Sequence, residues 1–355
     1  MYRLIRPVLF RFSAERIHHW AVQALRCMRY IPFAKCIIRK MFSINDPSLN
    51  REVFGLKFKN PIGLAAGFDK NGEVANELAC FGFGFVEIGS VTPLPQPGNP
   101  RPRVFRLPKD RALINRMGIN NAGAKQVTKN LRTRKHKIIV GGNISKNSAT
   151  PNANAAADYE RTLINLYGSV DYFALNVSCP NVKELGCLQE VESLRVILEA
   201  VTDQRKYHDK YKPILLKLSP DLNASQLEDV LSLVFEYALD GLIVANTTTR
   251  REGLRTAEEE VQNIGSGGLS GAPLFQNTID LVRYISTITK KQLPIIGVGG
   301  IFSEDDALQL LDAGASLVQV YTGFVYNGPG FVKRILKKLV SSNTKQYKNT
   351  SQTLN

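Results

Sequence analysis

The sequence predicts an α/β chain, a closed (β/α)8 barrel of the TIM type with a small two-helix extension at its N-terminus. Three observations carry this. Eight short, largely apolar runs recur between residues 61 and 321. Most are separated by stretches of helical periodicity, and the positions just after each run are rich in amides, hydroxyls, glycines and lysines. Strands that are apolar along their whole length belong to parallel sheets covered by helices. Eight such units point to barrel closure, with a doubly wound open sheet as the other arrangement of the same pattern.

In order, the runs are PIGLAA (61–66), GFVEIGS (84–90), IIVGGNI (138–144), DYFALNV (171–177), PILLKL (213–218), DGLIVA (240–245), PIIGVG (294–299) and LVQVY (317–321). Helical stretches such as ASQLEDVLSLVFEYAL (224–239) and SEDDALQLLDAG (303–314) lie between them. Ahead of the first run, Ile17, Trp20, Ala21, Ala24, Leu25 and Met28 recur at helical spacing behind Ser13, a suitable N-cap. Phe33, Ala34, Ile37, Ile38 and Met41 repeat that spacing, with Pro32 as the break between the two helices. The chain therefore divides into an extension (1–45), a barrel (46–340) and a polar tail (341–355) expected to fray.

The composition, 44% hydrophobic and 22% charged over 355 residues, is that of a globular protein with a large core. Five cysteines (Cys27, Cys36, Cys80, Cys179, Cys187) form no CxxC or Cys/His spacing. Reduced thiols and no metal site are expected. The net charge is +15, and residues 1–40 hold nine Lys/Arg against the single acid Glu15. Such an excess seeks an anionic surface, lipid or nucleic acid. Aromatics are 8% and the basic cluster sits on an amphipathic appendage, so nucleic acid is not the expected partner. Two short amphipathic helices with basic flanks suit a bilayer surface, and packing on the barrel would give the same pattern. No run approaches the ~18 apolar residues of a membrane span, and MYRLIRPVLF has no secretory cleavage site.

In this barrel class the active site forms where strands end. The strand ends here are AAGFDK (65–70), GS (89–90), GN (142–143), NVSCPN (176–181), LKLS (216–219), ANT (245–247), GVGG (297–300) and YTG (321–323). Glycines after the last two runs, with GSGGLSG (265–271), allow backbone N–H groups to approach a phosphate. Lys70 and Lys217 can serve an anionic substrate and a redox cofactor that becomes anionic. Cys179 stands in a polar turn ahead of Pro180; an inert small thiol and a reactive one both remain open on this reading alone.

Taken together, these residues resemble the dihydroorotate dehydrogenase family, and within it the quinone-using, membrane-associated class 2. The resemblance spans about residues 1–335 and rests on GLAAGFDKNG (63–72), VTPLPQPGNPRPRVFRLP (91–108), NRMGINNAG (115–123), NVSCPN, KLSPDL (217–222), ANTT (245–248), GGLSG (267–271), IIGVGGI (295–301) and VQVYTGF (318–324). It implies an FMN enzyme that oxidises (S)-dihydroorotate to orotate in pyrimidine biosynthesis and is reoxidised by a membrane quinone. A monomer bound peripherally to the cytoplasmic face of a bacterial membrane is the expected form. The resemblance places FMN on Ala66, Gly67, Phe68, Asp69, Lys70, Ser90, Asn143, Asn176, Lys217, Ala245, Gly271, Gly300, Tyr321 and Thr322. It places the substrate on Lys70, Asn115, Arg116, Met117, Gly118, Ile119, Asn176, Asn181, Asn246 and Thr247. Cys179 takes the position of the catalytic base, and His18 and Arg106 those of a quinone tunnel. Quinone-using relatives typically carry serine where Cys179 stands, and threonine is usual where Ser90 and Ala245 stand. Cysteine is typical of soluble relatives, so a soluble oxidase using fumarate or NAD is the alternative, and a basic nucleic-acid-binding protein a distant one. Soluble relatives lack the two-helix extension, which favours the quinone.

Overall fold

The computed structural model describes residues 2–132, 138–178 and 188–352, with side chains to residue 344. Eight parallel strands close a barrel in chain order: β1 (Ile62–Leu64), β2 (Phe85–Val91), β3 (Ile139–Ile144), β4 (Tyr172–Asn176), β5 (Ile214–Lys217), β6 (Gly241–Val244), β7 (Ile295–Val298) and β8 (Leu317–Val320). Seven lie within their apolar runs, and β2 extends one residue past GFVEIGS, to Val91. β8 pairs with β1 (Val318 beside Ile62), which seals the cylinder and excludes the open sheet. Nearly every residue of these strands is buried, as expected of strands packed on both faces.

The bottom of the barrel is filled by aromatic rings. Phe58 meets Phe85 edge to face at 5.2 Å, beside Tyr172, Leu215, Ile243 and Ile296. Gly63 and Gly141 make room for those rings, because a Cβ at either would lie 2.3 Å from Phe85 or 2.1 Å from Tyr172. Phe58 belongs to a hairpin (Arg51–Val53 with Leu56–Phe58) that plugs this end, leaving the opposite rim for chemistry.

Three features differ from the sequence reading. A helix precedes the two expected ones: α1 (Tyr2–Leu9), then α2 (Ala14–Met28) and α3 (Ala34–Phe42). α1 tolerates Pro7 because tertiary bonds hold it, from Tyr2 Oη to the Val325 carbonyl (2.6 Å) and from Arg6 to the Tyr326 carbonyl (3.1 Å). A three-stranded antiparallel sheet (Val104–Leu107, Ala112–Asn115, Gly268–Gly271) roofs part of the rim where only loops were expected. The polar tail is not a break either: the last helix runs Phe331–Gln352, with no Gly or Pro from residue 331 onward to stop it.

α2 divides its apolar residues between two sides. Met28 is buried and Ile17, Ala21 and Leu25 are partly covered, while Trp20 is half exposed. Ser13 caps α2 as expected. Ion pairs fasten the extension to the barrel: Arg26 to Glu73 (3.2 Å), Lys35 to the buried Glu77 (2.7 Å) and Glu15 to Arg103 (2.8 Å).

Candidate active site

A cavity of about 380 Å³ opens over the C-terminal rim and continues between the barrel and helices α1 and α2. Its inner part is polar. Ala66, Gly67, Phe68 and Lys70 from the loop after β1, Ser90 from β2, Asn176 from β4 and Lys217 from β5 line it, with Ala245, Asn246 and Thr247 after β6. The loops after β1 and β2 are tied together: Gly67 N–H donates to the Gly89 carbonyl (2.8 Å) and Gly89 N–H to that of Asp69 (3.2 Å).

Hydrogen bonds join these side chains into one chain across the rim. Thr247 N–H donates to Asn246 Oδ1 (2.9 Å), and Asn246 Nδ2 to Asn176 Oδ1 (3.1 Å). Asn176 Nδ2 donates to Ser90 Oγ (2.8 Å), Ser90 donates to Asn143 Oδ1, and Asn143 Nδ2 donates to Glu87 Oε1 (2.9 Å). The Asn176 carbonyl is itself held by Tyr159 Oη (2.8 Å) and Ser145 Oγ (3.1 Å), so the end of β4 is fixed from both sides. Amide orientation in such a chain follows from its partners, and here every link agrees.

At the far end Gly271, Gly300 and Thr322 line the cavity, and Thr322 Oγ1 lies 2.9 Å from Ser270 Oγ. Gly300 has φ +71°, and a Cβ there would stand 2.4 Å from the Phe275 backbone. Only glycine lets the chain pass so closely.

The outer part is mostly apolar. Leu9, Phe10, Ile17, Ala21, Val104, Phe324 and Val325 surround His18 and Arg106. His18 meets Phe68 edge to face at 5.0 Å, and burial, then the Lys70 charge, lowers its pKa to about 4, so the imidazole is neutral at pH 7. Arg106 lies over the Phe10 ring (4.5 Å) and donates to the Phe12 carbonyl (2.6 Å). Tyr321 stands between the two parts, 6.1 Å from Phe68, and burial pushes its phenol up to about 12.

Not every expected site residue faces this cavity. Asp69 turns its carboxylate to Glu73 N–H (2.8 Å) and Val74 N–H (2.9 Å), and burial raises its pKa to about 6 despite those bonds. Arg116 donates to the Ile264 and Ser266 carbonyls and lies over Phe105 at 4.5 Å, while Gly118 packs on Asn99. Their neighbours Asn115, Met117 and Ile119 line the cavity. Asn143 stands behind Ser90. Cys179 and Asn181 lie outside the described residues. Sequence reasoning missed Glu87 and Gln319, both fully buried inside the barrel. A polar residue within a buried apolar run was the signal that could have found them. Among the described residues no group of three or more His, Cys, Asp and Glu could hold a metal ion.

The chain is similar to known proteins over nearly its whole length. A dihydroorotate dehydrogenase (quinone) of Christiangramia forsetii is 47% identical over 341 residues, covering 96% of this chain and 99% of that protein. One from Coxiella burnetii is 43% identical over 347 residues, covering 96% and 97%. The crystal structure of DHODH from Eimeria tenella in complex with ferulenol superposes with a TM-score of 0.84 at 35% identity, covering 95% of this chain and 94% of that one. The family model for dihydroorotate dehydrogenase matches residues 48–342, a span that takes in the whole barrel and its rim. The chain belongs to the dihydroorotate dehydrogenase family.

Proposed function

We propose that the protein oxidises dihydroorotate to orotate with bound FMN and delivers the electrons to a membrane quinone. The observation that carries this reading is the single cavity whose polar end is the barrel rim and whose apolar end opens among the N-terminal helices. Two substrates of opposite character, a ring acid and a hydrophobic quinone, each find a matching end.

The residues present fit FMN. Gly271, Gly300 and Thr322 form a close backbone approach for a phosphate, and Ser90, Asn176 and Lys217 offer donors for a polar ring. When bound, FMN supplies a hydride acceptor and an electron relay to the quinone. The chain's own part is to bind, orient and deprotonate. Lys70 attracts the substrate carboxylate, and Asn176 and Asn246 fix the pyrimidine ring in one pose. Cys179 takes the proton from the carbon next to that losing hydride, leaving the ring double bond of orotate. His18 and Arg106 hold the quinone at the outer end.

The protein purified from its host is expected to be yellow, to release FMN on denaturation, and to be bleached anaerobically by dihydroorotate. Short-chain quinones should then restore the colour faster than fumarate or NAD. A colourless protein that no FMN reconstitutes, or preferential reoxidation by fumarate, would overturn the reading.

We assign residues 46–340 to catalysis and 1–45 to the lipid surface. Leu4, Tyr30 and Phe33 are each at least 80% exposed, and Ile5, Val8, Ile31, Ile37 and Met41 are also in solvent. An exposed large apolar side chain forgoes about 1.5–3 kcal/mol of burial, so this face, flanked by Arg3, Arg11, Arg39 and Lys40, suits an anionic bilayer at the cytoplasmic side. Among the described residues no helix is long and apolar enough to cross a membrane. Removing residues 1–45 is expected to weaken binding to anionic vesicles. It should lower quinone turnover more than the rate of bleaching by dihydroorotate; equal loss of both rates would leave the helices a structural role only.

A further inference from the structure

Beneath the polar end of the cavity lies a carboxylate that no part of the proposed chemistry uses. Glu87, on β2, is fully buried inside the barrel. Asn143 Nδ2 (2.9 Å) and Lys217 Nζ (3.5 Å) approach its Oε1, and Gln319 Nε2 (2.8 Å) and Tyr172 Oη (3.3 Å) approach its Oε2. Strands β2, β3, β4, β5 and β8 thus converge on one side chain.

We propose that Glu87 is a positioning residue, an anion that holds the Lys217 ammonium charged and in place at the cavity floor. The proposal rests on the FMN reading above, in which Lys217 faces the ring that gains negative charge.

Three features argue for it. First, Asn143, Gln319 and Tyr172 all donate to the two oxygens of Glu87, a set of partners that suits a carboxylate. Tyr172 stays a donor: burial first, and the Glu87 charge second, keep its phenol well above its ordinary range. Second, Asn143 is committed to present Nδ2 by the chain that starts at Thr247 N–H, so the atom of residue 87 that meets it must accept. Third, serving Glu87 leaves Gln319 Oε1 buried and without a partner among the described residues, although Gln319 lines the cavity. An orphaned buried acceptor is costly, and it is one that a ligand N–H could satisfy.

Lys217 is 6% exposed. Without Glu87 its charge would be buried without that counter-ion, and Nζ would lose the oxygen it reaches at 3.5 Å. A displaced Lys217 no longer stabilises negative charge on the ring.

The test is the two-electron midpoint potential of bound FMN in the holoenzyme, with orotate affinity measured alongside. Glu87→Gln is expected to lower the reduction equilibrium at least tenfold, about 30 mV for a two-electron couple. Lys217→Met should give a similar fall, and the double variant little more, because the two act as one unit. Orotate affinity should change far less, since the orientation of Asn176 and Asn246 is also set from the Thr247 end. An unchanged or raised potential in Glu87→Gln, or full additivity with Lys217→Met, overturns the proposal. If Glu87→Gln does not fold, Glu87→Asp decides: it keeps the charge one methylene short, so a lowered potential supports positioning and an unchanged one refutes it. A wild-type protein without flavin would sink the functional reading, and the Glu87 proposal with it. A wild type bleached by dihydroorotate, beside an unshifted variant, sinks only the latter.

Discussion

Replacing Cys179 by alanine is expected to slow bleaching of the bound flavin by dihydroorotate by about 10²–10⁴-fold, the usual contribution of a positioned general base, while FMN stays bound. The chain reaches residue 179 from an anchored point. Ser178 is buried, donates from Oγ to the Lys217 carbonyl (3.0 Å) and accepts from Asn246 Nδ2 (3.0 Å). Asn176, two residues earlier, lines the cavity. Residue 178 is thus held at the rim beside the substrate end. Cys179 is not among the residues assigned to FMN, so cofactor content should hold. Cys179→Ser should retain part of the rate and need higher pH to reach it, because a hydroxyl is a far weaker acid than a thiol with a reference pKa of about 8.5. Anaerobic stopped-flow at several pH values reads both variants. An alanine variant that bleaches at near wild-type speed would remove Cys179 from the base role.

The barrel was legible because its strands are buried on both sides. Each then reads as an unbroken apolar run, and polar residues collect where the run stops, which is why Lys70, Ser90, Asn176, Lys217 and Asn246 could be picked out by position. The same reading hides what interrupts a run from within. Glu87 in GFVEIGS and Gln319 in LVQVY point into the barrel and find partners on other strands, a pairing that no local pattern carries. The antiparallel sheet was invisible for a related reason: Asn115 pairs with Gly268, some 150 residues away. α1 was missed because Pro7 argues against a helix and only distant carbonyls on Val325 and Tyr326 hold it. Asp69 and Arg116 show a different limit. Both sit inside rim motifs, yet their side chains serve the backbone of neighbouring loops. A motif marks where the chain approaches a ligand, and side-chain direction alternates within it.

Asn176→Ala is expected to lower the rate of reduction by dihydroorotate by about 10²–10³-fold without unfolding the protein. The substitution removes the middle of the hydrogen-bonded chain, so Ser90 Oγ loses a donor and Asn246 Nδ2 an acceptor. Each keeps a second partner, Asn143 for Ser90 and Ser178 for Asn246, so each lost bond costs about 0.5–1.5 kcal/mol. At about 1.4 kcal/mol per tenfold, these two and the amide's own bond to the substrate ring, about 1.5–4.5 kcal/mol together, bracket the expected range. The fold should survive, because the bonds that fix the end of β4 reach the Asn176 carbonyl from Tyr159 and Ser145 and do not involve its side chain. Circular dichroism should therefore stay near wild type while stopped-flow bleaching, measured on FMN-saturated protein, collapses, and orotate should bind more weakly. A bleaching rate within threefold of wild type would mean that the amide chain across the rim orients nothing. Loss of the fold together with the rate would place Asn176 among the structural residues instead.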